Sequence, residues 1–411
     1  MARSCCTLCL PIGKQAYLDL AEDPRRFRGW LDQAFRSWPE LFPTDFALGY
    51  RLKDSRRSAK TGLRLRRIRL RSTGQAFSIR PSFALPYLTG STDQVQGPLF
   101  LRAFGVPFWA IARVFGKDAM YWYRLEVGLG RNSIVGTTLR QAQLPEHLLA
   151  DEHHQPRDGV KNYIATTVGA GCCLGAALAQ TAGAEDLQAA YAVFQQEAQD
   201  VQPDYQPQTV SVDGWAATHQ AWSALFPLVV LLRCFLHGWL NLRSRGKLSA
   251  AFAELSRKVW EAFHAPNRRS FAQRLRRLGQ WARRQQLTAW LLEQVEKVCG
   301  RAREYGTAYQ HPGSHRTSTM LDRLMRAMRR YFEDAQHLHG SPQACARHCR
   351  GWALLHNFRP WHPATTRANG GWRSPAERLN RHRYHDDWLQ NLLVSASLGG
   401  YHRRNHSPHN P

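Results

Sequence analysis

Between residues 14 and 38 apolar side chains recur at close to helical spacing: Tyr17, Leu18, Leu20, Phe27, Trp30, Leu31, Phe35 and Trp38. Such a pattern predicts a small helical lead-in, which Pro39 and Pro43 interrupt. After residue 62 the pattern changes to alternation. Leu63 and Leu65 alternate with Arg64 and Arg66, the phase slips at Arg66-Arg67, and Ile68 and Leu70 then alternate with Arg69 and Arg71. Alternation predicts strand, a one-residue slip predicts a bulge, and Ser72-Thr73-Gly74 predicts a turn before Phe77, Ile79 and Pro81. A hairpin over 62–84 is therefore expected, with a row of arginines on its outer face.

The next patterned stretch is 99–130. Val106-Pro107-Phe108-Trp109 opens a helix, with Pro107 at a tolerated first-turn position. Ile111, Ala112 and Phe115 continue it, Gly116 supplies a residue free to take positive φ, and Asp118 is placed to cap the next helix. Trp122 and Leu125 face back towards the first helix. This spacing predicts a helix-turn-helix whose second helix, Ala119 to Leu129, is presented to the major groove, with Lys117, Tyr121, Tyr123 and Arg124 as contacts.

From about residue 145 strands and helices alternate. Tyr163 to Val168 is rich in β-formers, Cys172 to Ala179 is small and apolar, Leu187 to Ala198 is amphipathic, and Thr209 to Asp213 is a short strand ending in an acid. The apolar run Leu225 to Leu236 contains Pro227 and Arg233 and is too short to span a bilayer, so it reads as a strand running into a helix. Residues 248–305 are helical and arginine-rich, and 317–358 are helical again. Gly351 to Phe358 is expected to pack the preceding helix onto the sheet. The polar end, Gly399 to Pro411, is expected to be disordered. The implied organisation is a helical lead-in at 1–61, a DNA-binding hairpin and helix-turn-helix at 62–140, and a catalytic core at 141–244 and 313–398. An all-helical insertion at 245–312 interrupts that core, and a tail follows at 399–411.

Charge sharpens the picture. Lys plus Arg is 56 against 31 for Asp plus Glu, a net +25 over 411 residues. That excess predicts a polyanionic partner, and arginine's planar fork suits phosphate and guanine. In the hairpin Arg66, Arg67 and Arg69 are candidate contacts, and in the insertion Arg268, Arg269, Arg276 and Arg277. Trp281 and Trp290 read either as stacking platforms for an unpaired base or, more simply, as core of the insertion. The nine cysteines make no spaced framework, which fits reduced thiols. Cys5, Cys6 and Cys9 lack a second ligand pair for zinc, and Cys345, His348 and Cys349 share a helical face as packing residues do. No secretory h-region is visible near Met1.

Three acids stand out by context. Asp151 follows Leu148-Leu149-Ala150, Asp213 ends a short strand, and Asp322 sits in a helix opened by Thr317-Ser318-Thr319. Two acids at strands and one on a helix make a set suited to hard divalent ions, which take carboxylate oxygens and activate a nucleophile for phosphodiester cleavage. Asp213-Gly214-Trp215 followed by Cys234 and His237 resembles the second acid and C-x-x-H signature of Mutator-like and related DD(E/D) transposases. Thr317 to Asp322 resembles their third-acid stretch, with Asp in place of Glu, and Glu304 is the alternative third acid. At the first position Glu152 is the neighbour to be distinguished from Asp151.

That resemblance covers roughly 145–360. It implies an α/β fold with a ribonuclease-H-like mixed sheet, and catalytic and metal-binding roles for Asp151, Asp213 and Asp322. Cys234 and His237 would support the site, and two Mg²⁺ (or Mn²⁺) ions would serve as cofactor. The implied partners are double-stranded DNA, both the terminal inverted repeats of a mobile element and target DNA, bound by a homodimer or larger assembly. No membrane is expected, and the setting would be a prokaryotic cytoplasm, at the nucleoid. A domesticated DNA-binding protein that does not cut, and a nuclease without strand transfer, are the alternatives.

Overall fold

The computed structural model describes residues 6–401 apart from Tyr87 and Gln336, with the backbone alone of Arg245. β1 (Thr7–Leu10) leads into α1 (Lys14–Ala21) and α2 (Pro24–Ser37). The Asp23 carboxylate accepts from the Arg25 and Arg26 amides, and Pro24 occupies the first turn, where no donor is needed. β2 (Tyr50–Arg57), β3 (Arg64–Leu70) and β4 (Ala76–Pro81) complete a four-stranded mixed sheet in the order β1-β4-β3-β2. The β3–β4 hairpin is as expected. β1 and β2 correct the helical reading of 1–61. β2 buries only Tyr50 fully and lies at a sheet edge, so its sequence carries no alternation.

The bulge also moves. Pairing passes from Leu52–Ile68 to Asp54–Arg67, so the extra residue is Lys53 on β2, and β3 keeps its phase. Arg66 belongs to the inward face with Ile68 and Leu70. Its Nε donates to the Ala21 carbonyl at 2.8 Å and its guanidinium lies over the Phe27 ring. A buried arginine had imitated a phase slip, and the outer row loses a member.

Three helices follow: α3 (Thr92–Arg102), α4 (Phe108–Phe115) and α5 (Ala119–Leu129). The α4–α5 turn forms as its sequence predicts. Gly116 has φ +73°, and the Asp118 carboxylate accepts from the Tyr121 amide at 2.7 Å. α6 (Ile134–Thr138) leads to a second mixed sheet.

That sheet comprises β5 (His147–Arg157), β6 (Val160–Gly169), β7 (Cys172–Ala179), β8 (Thr209–Val212) and β9 (Val230–Arg233), in the order β7-β6-β5-β8-β9. β6 runs antiparallel to β5 and β7, while β8 is parallel to β5 and to β9. α7 (Ala184–Val201) and α8 (Ala216–Leu225) make the crossovers and fill one face with Tyr191, Phe194, Trp222 and Phe226. The chain is thus α/β, with two mixed sheets.

β9 runs into α9 (Phe235–Gly246), and a helical block follows: α10 (Phe252–Phe263), α11 (Arg268–Arg284), α12 (Ala289–Gly300) and α13 (Ala302–Gly306). Phe235, Trp239 and Leu242 share its core, so the block begins packing before the expected boundary at 245. Trp281 and Trp290 pack against this core.

The other face of the five-stranded sheet is covered by α14 (Thr319–Asp334) and α15 (Pro342–Phe358), through Leu321, Leu324, Met328, Cys349 and Trp352. α5 is clasped against α15 by two glycines. A Cβ on Gly130 would meet the Arg347 carbonyl oxygen at 1.9 Å, and one on Gly351 would meet that of Glu126 at 2.6 Å. A buried polar cluster joins the same helices. Arg102 Nε donates to Glu126 Oε2 at 3.2 Å, His348 Nε2 stands 2.9 Å from Glu126 Oε1, and Tyr331 donates to the same carboxylate. Arg102 lies over the Tyr331 ring at 3.9 Å.

α16 (Pro363–Ala368), α17 (Pro375–Asn380) and α18 (Trp388–Ser395) complete the fold. Leu389, Leu392, Leu393 and Leu398 enter the same core as Leu8, Leu10 and Phe27, so the N-terminal sheet and the end of the described chain share one interior. Residues 399–401 are ordered, correcting the tail boundary: the Gly399 carbonyl accepts from the Ser133 amide at 2.8 Å and Gly400 is buried. Residues 402–411 of the expected tail lie outside the described residues. Among the described residues no helix is long and apolar enough to cross a membrane.

Candidate metal centre

Asp151 sits in the middle of β5, on the face covered by α14. Its strand is paired with β8 in parallel, Leu149 opposite Ser211. Continuing that register by two residues brings Asp213 level with Asp151 on the neighbouring strand, about 4.8 Å across the sheet. β8 ends one residue earlier, and Asp213 turns the chain: its Oδ1 accepts from the Trp215 amide at 2.8 Å. Gly214 has φ +100° and its α-carbon abuts the Arg233 guanidinium, where a Cβ would come within 2.4 Å. Only glycine suits that position.

Asp322 arrives from the first turn of α14, and His237 from the first turn of α9. Ligand atoms of Asp151, His237 and Asp322 all lie within 4.8 Å of one another. The structure therefore brings together two of the three expected acids with the histidine of the C-x-x-H pair. Asp213 stands outside that trio but close enough for its charge to act on Asp151 and His237. Glu304 is not part of it: its carboxylate pairs with Arg233 at 2.5 Å at the rim. Glu152 points to the other side of the sheet, accepting from Tyr191 at 2.7 Å and Thr218 at 2.9 Å.

The Cys234–His237 pair has a specific connection. The Ser318 amide donates to Cys234 Sγ at 3.1 Å, the thiol donates to Ser318 Oγ at 3.3 Å, and that hydroxyl donates to Asp322 Oδ2 at 2.9 Å. Cys234 lies near His237 and each biases the other's ionisation. A hydrogen-bonded chain thus runs from Cys234 through Ser318 to Asp322, with His237 beside its start. Ser318 was not singled out from the sequence. Its signal there is the Ser at i−4 from the acid, a helix-opening position that usually means only a cap.

The electrostatics fit a cation site. Burial pushes the Asp151 carboxyl up to about 6; the Asp213 and Asp322 charges add to the push, while its hydrogen bond from the Glu152 amide and the His237 charge oppose it. The neighbouring Cys234 thiol pushes the His237 imidazole up to about 9 against the effect of burial, with Asp151 and Asp213 assisting. Burial opposes ionisation of the Cys234 thiol, but His237 beside it and its bond to Ser318 hold it below the ordinary thiol range. Crowded like charges with a protonated imidazole among them are what carboxylates gathered for a cation look like without one. The donor set is carboxylates with an imidazole to one side, groups that can ligate a metal ion.

The expected DNA contacts divide. Arg268, Arg269, Arg276 and Arg277 are exposed on α11, as are Lys117 and Arg124 at α5. Arg67 is paired with Asp54, Arg69 is half-buried, and Arg66 is committed to the interior. The groove-facing reading of α5 is narrowed. Trp122, Leu125, Glu126 and Leu129 are buried, the Tyr121 hydroxyl donates to the Thr89 carbonyl, and Tyr123 packs against His348. Cys9 is buried in β1, Cys345 donates to the His339 carbonyl and His348 serves Glu126, while Cys5 lies outside the described residues. The chain matches no family model and no curated protein.

Proposed function

We propose that the chain is a metal-dependent DNA-cleaving and strand-joining enzyme, a DD(E/D)-type transposase built on a ribonuclease-H-like core. The observation that carries this reading is the approach of Asp322 to Asp151 on the central strand of the five-stranded sheet, with Asp213 beside them just past the end of β8. They come from two adjacent parallel strands and the helix that follows the helical block. The strand directions, an antiparallel run through β5, β6 and β7 followed on the other side of β5 by β8 and β9 in parallel, support the same core.

In this reading Asp151, Asp213 and Asp322 hold divalent ions, with His237 beside them. Such ions, when bound, supply Lewis acidity at the phosphate and lower the pKa of the attacking hydroxyl. The chain's own residues do the positioning. β5 fixes Asp151 on a rigid strand between two acids, and Ser318 holds one oxygen of Asp322. Arg233, pinned by Glu304, stands beside the Asp213 turn. The +25 balance and the exposed α11 arginines support DNA as the substrate, bound as element ends and as target. A pair of such chains is the natural unit for joining two ends.

The test is cleavage of a labelled DNA carrying the sequences that flank the gene, with Mg²⁺ or Mn²⁺ and with EDTA, using the wild type and Asp213→Asn. Metal-dependent nicking and joining by the wild type, lost in the variant while DNA binding persists, is expected. Binding with no cleavage at any metal concentration would turn the reading towards a non-cleaving DNA-binding protein. Cleavage without joining would turn it towards a nuclease.

A further inference from the structure

α14 does more than deliver Asp322. At about 100° per residue its side chains separate into two arcs. Leu321, Leu324, Met328, Tyr331 and Phe332 are buried against the sheet. Arg323, Arg326, Arg329 and Arg330 are all exposed, and with Asp322 they fall within an arc of about 120°. Among the described residues none of the four arginines forms an ion pair, although Asp322, Glu333 and Asp334 lie on the same helix. Asp322 is instead held by Ser318. Four guanidinium groups without ion-pair partners on one exposed helix face repel one another weakly through solvent, and a row of external anions would relieve that repulsion.

We propose that this face is a phosphate track. It would carry the backbone of the DNA strand whose phosphodiester bond lies at the Asp151–Asp213–Asp322 centre, leading it away from the cut along α14. The inference rests on the function proposed above and names its substrate-guiding surface. From Asp322 to Arg330 the helix rises about 12 Å. With phosphates about 3.4 Å apart along the axis for one strand, that length matches roughly three successive phosphates. The track starts at the metal centre, so its register fixes which phosphate reaches the acids. Arginine suits this role because its fork grips phosphate oxygens in pairs. The proposed occupant is a DNA strand, since successive, evenly spaced anions answer a row of cations better than a single small phosphate does.

The experiment uses the full chain and fluorescence anisotropy with a labelled single strand and a labelled duplex, from low to moderate salt. Arg326→Ala/Arg330→Ala is compared with Arg326→Lys/Arg330→Lys. The alanine pair should lower the slope of log K against log salt by about 1.4 on single strand and about 1.8 on duplex, while the lysine pair keeps it. These side chains are exposed and touch no core. If the alanine pair nevertheless folds poorly by circular dichroism, Arg326→Gln/Arg330→Gln is measured in its place. An unchanged slope with the charge removed overturns the track. So does an equal loss with the lysine pair, because that would mean damage and not charge. Cleavage data separate the two proposals. A wild type that cuts DNA but shows an unchanged slope in the alanine pair loses the track alone. A wild type that never cuts, with the slope reduced as expected, loses the enzyme reading and keeps the track.

Discussion

Ser318→Ala tests whether the cysteine–histidine pair acts on the metal centre through the third acid. The substitution removes one oxygen and leaves the backbone bond from the Ser318 amide to Cys234 untouched. Two interactions vanish: the 2.9 Å hydrogen bond to Asp322 Oδ2 and the acceptor of the Cys234 thiol at 3.3 Å. The first is charge-assisted and Ser318 is buried, so about 1.5–3 kcal/mol of Asp322 positioning is at stake. The sulfur bond is weaker and adds little. Expressed as affinity for a divalent ion, the loss is about 10- to 100-fold. The assay is Mn²⁺ binding followed by electron paramagnetic resonance at pH 7, with Asp322→Asn as the lower limit. Ser318→Thr, which keeps the hydroxyl, should retain most of the affinity. Binding by Ser318→Ala within twofold of wild type would refute the connection, and so would an Asp322→Asn protein that binds as well as either.

Other outcomes follow from the same structure. Glu126→Gln keeps the shape of a buried side chain but strips the charge that holds Arg102, and burial of that carboxylate is more than offset by Arg102 and His348, which keep it below its ordinary range. Unfolding in urea should show a loss of about 3–5 kcal/mol, and a loss under about 1 kcal/mol would contradict an ion-paired interior. Gly130→Ala places a methyl on the Arg347 carbonyl and should cost at least about 2–3 kcal/mol, read as a lower Tm; an unchanged Tm would mean that α5 and α15 separate easily. Burial holds the His356 imidazole down to about 3. A depressed histidine gives stability that is complete above about pH 6.5 and is lost as pH falls, by about 2 kcal/mol at pH 5. Asp151 and Glu152, pushed up to about 6 and about 7 chiefly by burial, run the opposite way, so the quantity to measure is a difference. From pH 7 to pH 5, His356→Phe should gain about 2 kcal/mol relative to wild type, and parallel profiles would remove His356 from the account.

Much of the second sheet was legible because its strands are buried on both faces and read as apolar runs bounded by turns. The helix pair at 108–129 was legible for a different reason, since Gly116 and Asp118 mark the turn chemically. The N-terminal sheet was hidden: β2 is an edge strand rich in charge, and Arg66 faces inward where a pattern reader expects an aliphatic residue. At the site, Asp151, Asp213 and Asp322 could be named from context, but their relative distances could not. Which atoms gather depends on strand register and on where α9 and α14 start, and those are tertiary facts. That is why His237 joins the closest trio and Asp213 stands a step aside. Ser318 was illegible because a helix-opening serine has the same appearance whether it caps a helix or steers a carboxylate.

The join between β1 and the segment after α18 bears on how the molecule comes into being. The Cys9 amide donates to the Ser397 hydroxyl, which in turn donates to the Leu41 carbonyl, and Arg140 reaches the carbonyls of Ser395 and Ser397. Cys9 and Ser397 are 388 positions apart. At about 5–20 residues per second, the ribosome makes the second partner some 20 to 80 seconds after the first. The opening sheet therefore waits, unfinished, while the intervening residues are made, and contacts of such long range also slow folding once both partners are present. A product that stops short of residue 390 has a first core that lacks a wall, however intact its acids. Translation through the Ser397 segment thus becomes a condition for a stable product.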